Sequence, residues 1–333
     1  MSIRVIAAGR TDVGLHREHN EDSFAILDQH GLYLVADGMG GHKAGDVASK
    51  MATETLRAFF DSTAREDATW PFHYDPALSA EENRLMAGIK VANKSIYERS
   101  ATSDEHRGMG TTLVGVLVAP ESARAYIGHV GDSRCYRVRG RSITLLTQDH
   151  SLVNEYLRAM PHLSAEQRDE LPRNVITRAL GMNDRVVVDV ASEEALAGDR
   201  YVLCSDGLSG MISDDEILRT LLAHDDDNAA CEALIALANQ HGGEDNITAV
   251  VVRIVGDSGS SEARFSADST RETVPPGPPD DEPGETGESP AASAEAVAVT
   301  LVPERAETEA STSSAPEKTS PASDKPEAAP PEE

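Results

Sequence analysis

The sequence predicts an α/β domain of the α+β type, in which mostly antiparallel strands pack against helices, followed by a disordered acidic tail. Three observations support this prediction. Segments rich in β-branched residues alternate with short turn sequences between residues 110 and 146. Two helical patterns follow one another between residues 44 and 102. The composition then changes abruptly near residue 256.

The last quarter of the chain differs in composition from the rest. After residue 255 there are about 18 acidic and about 5 basic residues, so this part carries about −13 of the total net charge of −27. Pro, Glu, Ser, Thr and Ala dominate, and Phe265 is the only aromatic residue there. Such a segment has too few apolar residues to build a core. We therefore expect a folded domain over residues 1–255 and a disordered tail over residues 256–333.

The whole sequence excludes several classes of protein. Its acidity argues against a nucleic-acid partner, because nonspecific binding depends on Lys and Arg side chains that displace counterions. No apolar run approaches the roughly 20 residues of a membrane span, and residues 1–8 do not form a signal peptide. Three widely spaced cysteines fit reduced core thiols. We expect a monomeric cytoplasmic protein, whose cysteines are Cys135, Cys204 and Cys231.

The first half of the domain begins with a strand over residues 5–11 and a hairpin of strands over residues 23–27 and 32–37. A helix from about Ala44 follows. A second helix begins at a capping box formed by Ser79 and Glu82. We expect the two helices to pack together on one side of the sheet.

The second half begins with an antiparallel meander, predicted by short turns between β-rich segments. Its strands cover residues 111–118, 123–130, 133–139 and 142–146, and Asp132 lies in one of its turns. Residues 147–180 break this pattern and predict a helical flap, or a packing excursion, with a helix from Leu152 and a second capping box at Ser164 and Gln167. The remaining predicted elements are strands over 186–190, 201–205 and 247–255, a helix capped at Ser213 that buries Leu218, Leu221 and Leu222, and a helix over 228–240.

Two apolar strands end in the same way, with a carboxylate followed by glycine. These pairs are Asp37-Gly38 and Asp206-Gly207, and further carboxylates at strand ends are Glu21, Asp22 and Asp245. Any one of them is an ordinary turn residue. If they meet, they cannot all stay ionised without a cation, and oxygen ligands without His or Cys suit Mg²⁺ or Mn²⁺. Two such cations would activate a water for attack on a phosphate ester.

A glycine-rich turn between a strand and a helix is also typical of nucleotide-binding folds. Here Lys43 is misplaced for a phosphate-binding loop, and the carboxylate of Asp37 would repel a pyrophosphate. We therefore prefer the metal site to the nucleotide site.

Eight short segments of the chain form a recognisable series, and they cover residues 17–22, 35–42, 110–112, 130–134, 147–151, 176–181, 204–208 and 243–246. Examples are Val35-Ala36-Asp37-Gly38-Met39-Gly40-Gly41-His42 and Val130-Gly131-Asp132-Ser133-Arg134. In these segments and in their order, the chain resembles the metal-dependent Ser/Thr protein phosphatases of the PPM family (type 2C), in their bacterial form.

The resemblance implies a four-layer αββα sandwich, with two central sheets flanked by helices, and two bound Mn²⁺ or Mg²⁺ ions. It makes Asp37, Asp206 and Asp245 metal ligands, together with the carbonyl of Gly38. Glu21 and Asp22 would bind the metal or orient its water, and Asp132 would hold a third, weaker ion with Asp206. Arg17 takes the place of the phosphate-binding arginine, and its planar fork suits a phosphoryl group.

One residue departs from the pattern of the eukaryotic members. They carry a histidine directly after the Asp-Gly pair as the proposed general acid, and Met39 stands in that place here. His42 lies three residues further on, and we do not transfer the acid role to it. Our hypothesis is that water at the metal site supplies the proton.

The sequence therefore predicts an enzyme that hydrolyses phosphoserine and phosphothreonine in proteins and opposes a Ser/Thr protein kinase. Two alternatives stay open. The first is a catalytically weak member of the same fold that binds phosphoproteins or acts as a scaffold. The second is a metal-dependent hydrolase of small phosphate esters. The tail is either a segment that a partner recognises or a solubilising spacer.

Overall fold

The computed structural model describes residues 3–40, 44–64, 74–160, 162, 167, 171–172 and 175–256. His42, Ser164 and residues 257–333 of the predicted tail therefore lie outside the described residues, whereas Gly256 belongs to the last strand. The strands are β1 (Ile3–Asp12), β2 (Asp22–Leu27), β3 (Leu32–Met39), β4 (Gly110–Thr111), β5 (Leu113–Ala119), β6 (Arg124–Val130), β7 (Arg134–Arg139), β8 (Ser142–Leu145), β9 (Asp189–Glu194), β10 (Arg200–Cys204) and β11 (Ile247–Gly256). The helices are α1 (Ala44–Ser62), α2 (Ala80–Thr102), α3 (Leu152–Ala159), α4 (Asp206–Ser209), α5 (Asp214–Ala223) and α6 (Asp227–Gln240).

The described strands form two antiparallel sheets. One has the order β1-β11-β10-β7-β8, and we call it sheet A. The other has the order β2-β3-β5-β6-β9 with the short β4 beside β3, and we call it sheet B. Every pairing between these strands is antiparallel.

The alternation of side chains along each strand produces four layers. In β11, Val250, Val252 and Ile254 pack between the two sheets, whereas Ala249 and Val251 pack under helices α5 and α6. Side chains on successive positions of a strand point to opposite faces, so a strand that is apolar throughout is buried on both faces. Sheet B buries its outer face under α1 and α2 in the same way. The predicted αββα sandwich is confirmed.

The helix starts follow the predicted capping signals. Ser79 accepts a hydrogen bond from the backbone N–H of Glu82, whose carboxylate accepts one from the N–H of Ser79. At α5, the carboxylate of Glu216 accepts hydrogen bonds from the backbone N–H and the hydroxyl group of Ser213. Each pair satisfies donors that the first helical turn leaves without a backbone partner.

The predicted meander is wrong at its centre. Strand β6 pairs with β5 and β9 in sheet B, and β7 pairs with β10 and β8 in sheet A. The turn at Gly131 and Asp132 is therefore a crossover between the two sheets and not a hairpin. A Gly-Asp sequence signals a tight change of direction, but it carries no information about which sheet receives the next strand.

Two smaller predictions also need correction. The strand expected over residues 186–190 covers Asp189–Glu194 instead. Val186 and Val188, whose apolar side chains suggested the earlier start, lie outside the strand and pack against the core beneath α1 and α2. Leu222 is 44% exposed on α5, whereas Ile217 and Leu221 are buried. The three cysteines are free and buried, as expected. Among the described residues, the helices are all too short or too polar to cross a membrane.

Candidate active site

Strands β2 and β3 bring the first two carboxylates together. Asp22 and Asp37 are direct partners in the antiparallel register. Along β3, Tyr33 and Val35 face the gap between the sheets, so the period of two directs Asp37 into the same gap. The convergence of carboxylates at this end of the hairpin, predicted from the sequence, is present.

The other sheet supplies the opposing carboxylates. Asp206 begins α4 two residues after the last residue of β10, and its charge helps to raise the pKa of the Asp37 carboxyl group, so the two groups lie close together. Asp245 lies two residues before β11. Because β10 and β11 are adjacent in sheet A, the end of one strand and the start of the next meet at the same edge.

A cavity of about 400 Å³ opens at this edge. It contains six of the eight residues predicted for the site, namely Arg17, Glu21, Asp37, Gly38, Asp206 and Asp245. Met39, Gly40, Ile176 and Asn246 complete its lining. Asp22 and Asp132 do not line it, and both lie close enough to interact electrostatically with Asp37.

Gly38 occupies a position that has no room for a side chain. A Cβ atom there would lie 2.1 Å from the carbonyl oxygen of Gly45 and 2.6 Å from that of Glu21. The N–H of Gly38 donates to the same Glu21 carbonyl at 3.1 Å. Glycine thus lets β3, the start of α1 and the residue before β2 meet at the cavity wall.

Asp22 is held from behind by two hydroxyl groups. Ser205 and Thr248 both donate hydrogen bonds to its Oδ2, at 2.7 Å and 2.6 Å. Its Oδ1 is buried and has no partner. One oxygen of this carboxylate therefore fixes its orientation, and the other is left for a ligand.

Burial and mutual repulsion raise the pKa of several of these carboxyl groups. Burial, together with neighbouring acids, raises the pKa of Asp22 to about 7 and that of Asp132 to about 7. The pKa of Asp37 is raised by burial and then by the charges of Asp22 and Asp206. The pKa of Asp206 is raised for the same first reason. These carboxylates therefore repel one another when ionised, and bound protons or cations would reduce the repulsion.

The donor set fits hard divalent cations. Asp22, Asp132 and Asp206 each have a buried Oδ1 without a hydrogen-bond partner, although buried polar atoms are almost always paired. The cavity lining, which belongs entirely to the described residues, includes no His or Cys. Oxygen-only ligands suit Mg²⁺ and Mn²⁺. The residues present can therefore hold such ions.

Arg17 reaches into the cavity from the loop after β1. Its Nη2 lies 2.6 Å from Oδ2 of Asp245, and both side chains are substantially exposed. Exposed ion pairs of this kind contribute less than about 1 kcal/mol, so the guanidinium can exchange this partner for another anion at little cost.

Besides Ser205 and Thr248, two more residues position the site and were not assigned from the sequence. Asn246 accepts a hydrogen bond from the N–H of Glu21 at 2.8 Å and donates to the carbonyls of Val13 and His19. Thr112 accepts from the N–H of Asp37 at 3.0 Å. Both lie in segments that match the family, which is the only signal that pointed to them. Their roles depend on contacts distant in sequence.

Comparison with known proteins supports the same assignment. A sequence model of the family described as protein phosphatase 2C matches residues 16–242. The serine/threonine phosphatase stp of Listeria monocytogenes serotype 4b (strain F2365) is 39% identical over 250 residues, which cover 73% of this chain and 93% of that protein. Protein phosphatase PhpP of Streptococcus pneumoniae serotype 2 is 36% identical over 251 residues, covering 73% of this chain and 94% of that protein.

Solved structures agree in fold. The crystal structure of the Mycobacterium tuberculosis serine/threonine phosphatase PstP/Ppp matches with a TM-score of 0.65 and 34% identity, covering 76% of this chain and 99% of that one. The catalytic domain of PstP in complex with two manganese ions matches with a TM-score of 0.64 and 34% identity, covering 77% and 100%. The chain belongs to the protein phosphatase 2C family and is a protein serine/threonine phosphatase.

Proposed function

We propose that this chain hydrolyses phosphoserine and phosphothreonine in proteins with two Mn²⁺ or Mg²⁺ ions bound at the acidic cavity. The observation that carries the proposal is the set of buried carboxylate oxygens without partners, in carboxyl groups whose pKa values are raised. The two manganese ions of the PstP catalytic domain support it.

The proposed ligands come from both sheets. Asp37, Asp206 and Asp245 hold the ions together with the Gly38 carbonyl, and Glu21 and Asp22 bind or orient water. Such cations would lower the pKa of a water molecule in the cavity and would neutralise charge on the phosphoryl oxygens. The hydroxyl groups of Ser205 and Thr248 keep Asp22 in a single orientation. A third, weaker site would use Asp132 with Asp206.

The leaving group needs a proton. The cavity is lined by carboxylates, an arginine, an amide and apolar groups, and none of these described residues is a histidine, lysine or tyrosine. We propose that water in the cavity supplies the proton. His42 lies outside the described residues, and its exclusion from this role stays a prediction.

The direct test uses the full chain with a phosphothreonine peptide. Hydrolysis should require added Mn²⁺ or Mg²⁺, stop with EDTA and return when the metal is restored. Binding of Mn²⁺ measured by calorimetry should show two tight sites. Metal binding without hydrolysis would favour the scaffold role, and hydrolysis of small esters only would favour the small-ester hydrolase. The scaffold role is not favoured, because all the matched carboxylates are retained.

Replacement of Arg17 should weaken the use of phosphorylated substrates. We expect Arg17→Ala to lower kcat/KM for a phosphothreonine peptide about 100-fold, and Arg17→Lys about tenfold, because lysine keeps the charge and loses the planar fork. Steady-state kinetics with the Arg10→Ala variant as control would check this. Arg10 pairs with the exposed Glu232 away from the cavity, so its loss should change nothing. An Arg17→Ala enzyme with normal kcat/KM would contradict the phosphate-binding role.

Removal of residues 257–333 should leave catalysis intact. Strand β11 ends at Gly256, and all the proposed site residues precede it. We expect kcat for a small aryl phosphate to change by less than about twofold, since the deleted part supplies no site residue. The full-length chain, purified in parallel, is the control. A large loss of kcat would show that the catalytic domain extends beyond residue 256.

The proposal includes the cellular setting. We propose a monomeric cytoplasmic protein whose substrates are produced by a Ser/Thr protein kinase. Three free, buried thiols support a reducing compartment.

A further inference from the structure

Two segments at the ends of the predicted flap, residues 150–152 and 175–177, lie side by side, and we call them the outgoing and returning arms of the flap. A second polar cluster lies next to these arms. It consists of His129, His150, Arg178 and Asp189. The rings of His129 and His150 are stacked, with centroids 4.7 Å apart and planes inclined by 14°. Both histidines are buried. The proposed mechanism uses none of these four residues.

This cluster does not have the hydrogen bonding of a metal site. Ligand atoms of His129, His150 and Asp189 lie within 4.8 Å of one another. However, Nδ1 of His150 accepts a hydrogen bond from the N–H of Gly131 at 3.0 Å, so the neutral ring carries its proton on Nε2. A metal-bound histidine needs the reverse, a free lone pair on the ligating nitrogen and a donor on the other. The Arg178 guanidinium, 3.1 Å from Nε2, would also repel a cation.

Hydrogen-bond partners instead hold the imidazole ring of His150 in one orientation. Its Nε2 lies 3.2 Å from Oδ2 of Asp189, and Arg178 donates to Oδ1 of the same carboxylate at 2.9 Å. The ring is therefore held at both nitrogens. Burial lowers the pKa of His150, which agrees with a neutral ring that accepts at Nδ1.

The backbone of His150 joins the two arms of the flap. Its N–H donates to the carbonyl of Gly131 at 2.9 Å, and its carbonyl accepts from the N–H of Thr177 at 2.8 Å. Ser151 and Ile176 form an isolated bridge next to it. Ile176 lines the acidic cavity. One residue thus connects the outgoing arm, the returning arm and the crossover between the sheets.

Gly131 links His150 to the residues of the acidic cavity. It has φ +109°, and a Cβ atom there would lie 2.6 Å from Cβ of Thr112. The segment before Asp132 is therefore packed between His150 on one side and Thr112 on the other. Thr112 in turn binds the backbone of Asp37 through hydrogen bonds of 2.8 Å and 3.0 Å.

We propose that His150 is a positioning residue that holds both flap arms against Gly131 and thereby sets Asp132 and Ile176 relative to the catalytic cavity. The expected changes in kinetics rest on the proposed function. The expected changes in structure rest only on the hydrogen bonds of His150. Without the Nδ1 acceptor, the N–H of Gly131 is a buried donor without a partner, a condition that proteins avoid. The Gly131 turn would then be held less firmly to residues 150–152 and 175–177.

Two substitutions separate this role from simple packing. His150→Phe keeps a planar ring to stack on His129 but removes the acceptor and the donor. His150→Asn loses the ring but places a carbonyl oxygen the same number of bonds from Cα as Nδ1, so it can accept from Gly131. His224→Phe is the matched control, because His224 lies at the C-terminus of α5 outside the flap.

The first measurement is hydrogen exchange of the metal-free full chain, which does not depend on activity. In His150→Phe, we expect exchange of the Gly131 and Thr177 amides to accelerate at least about tenfold, since local opening loses a hydrogen bond. His150→Asn should restore the protection of Gly131 to within about threefold. Unchanged exchange in His150→Phe would overturn the proposal, even if the wild type proved inactive.

The second measurement compares substrates. We expect His150→Phe to raise KM for a phosphothreonine peptide about tenfold and to raise the Mn²⁺ concentration for half-maximal activity several-fold, while KM for a small aryl phosphate changes little. His150→Asn should recover most of both losses. Equal impairment of the two variants in all assays, with intact folding, would mean that the ring acts only through packing and would overturn the proposal.

Discussion

The Asp206→Asn variant is expected to lose about 10³-fold or more in kcat for a phosphothreonine peptide at saturating Mn²⁺. The loss follows from the geometry of the site, where Asp206 faces Asp37 and has a buried Oδ1 without a partner. An amide offers one neutral oxygen in place of two charged ones, and so weakens both cation binding and transition-state charge neutralisation. Steady-state kinetics and Mn²⁺ calorimetry on the same preparation measure the two effects.

The same substitution should not destabilise the metal-free protein. Asn at this position removes one charge from a repelling group, so we expect Tm in EDTA to be equal to or higher than that of the wild type, the usual trade of stability for function. Asp214→Asn is the matched control, since Asp214 is an exposed carboxylate in the first turn of α5. A folded Asp206→Asn enzyme that keeps activity within tenfold of wild type would contradict the assignment of Asp206 as a metal ligand.

The metal-free protein is expected to lose stability as the pH rises from about 4 to about 7. Asp22 and Asp132 have pKa values raised from 3.8 to about 7. The folded state therefore binds more protons than the unfolded chain between these values, and the free energy of unfolding falls as the pH rises through this window. The total change is a few kcal/mol, or roughly 10 °C in Tm for a domain of this size.

Thermal unfolding in EDTA at a series of pH values measures this slope. Added Mn²⁺ should reverse the loss above pH 7, because cations bind the ionised carboxylates of the folded state only. The Asp22→Asn variant should show a flatter slope in EDTA, since it removes one of the two titrating groups. An Asp22→Asn slope in EDTA that equals the wild-type slope would contradict the raised pKa of Asp22.

Much of the site was readable from local sequence. An apolar strand that ends in a carboxylate can be recognised from the sequence alone, because the periodicity of a strand decides which face each residue occupies. Asp37 and Asp206 were found in this way, and the hairpin placed Asp22 opposite Asp37, as the register confirms. The capping boxes at Ser79 and Ser213 were equally local.

Other features were not readable because they depend on which strands pair. The Gly131 turn was expected to close a hairpin, and the structure uses it to pass from sheet B to sheet A. The hydroxyl groups that orient Asp22 could not be predicted for the same reason, since Thr248 is 226 residues away in sequence and comes near Asp22 only when the strands pair. Arg17 required the resemblance to the family, because a loop arginine alone has no distinctive pattern.

The sequence by itself determined the elements, the charges at their ends and the family of the protein, because these depend on residue types within a few positions of one another. Only the tertiary structure shows which strands each sheet contains, that the turn at Gly131 crosses between the sheets, and that His150 bonds to both Gly131 and Thr177. Which distant strands pair depends on how well both faces of the assembled sheets are buried. This cannot be read from any one segment, because it depends on contacts between all of them.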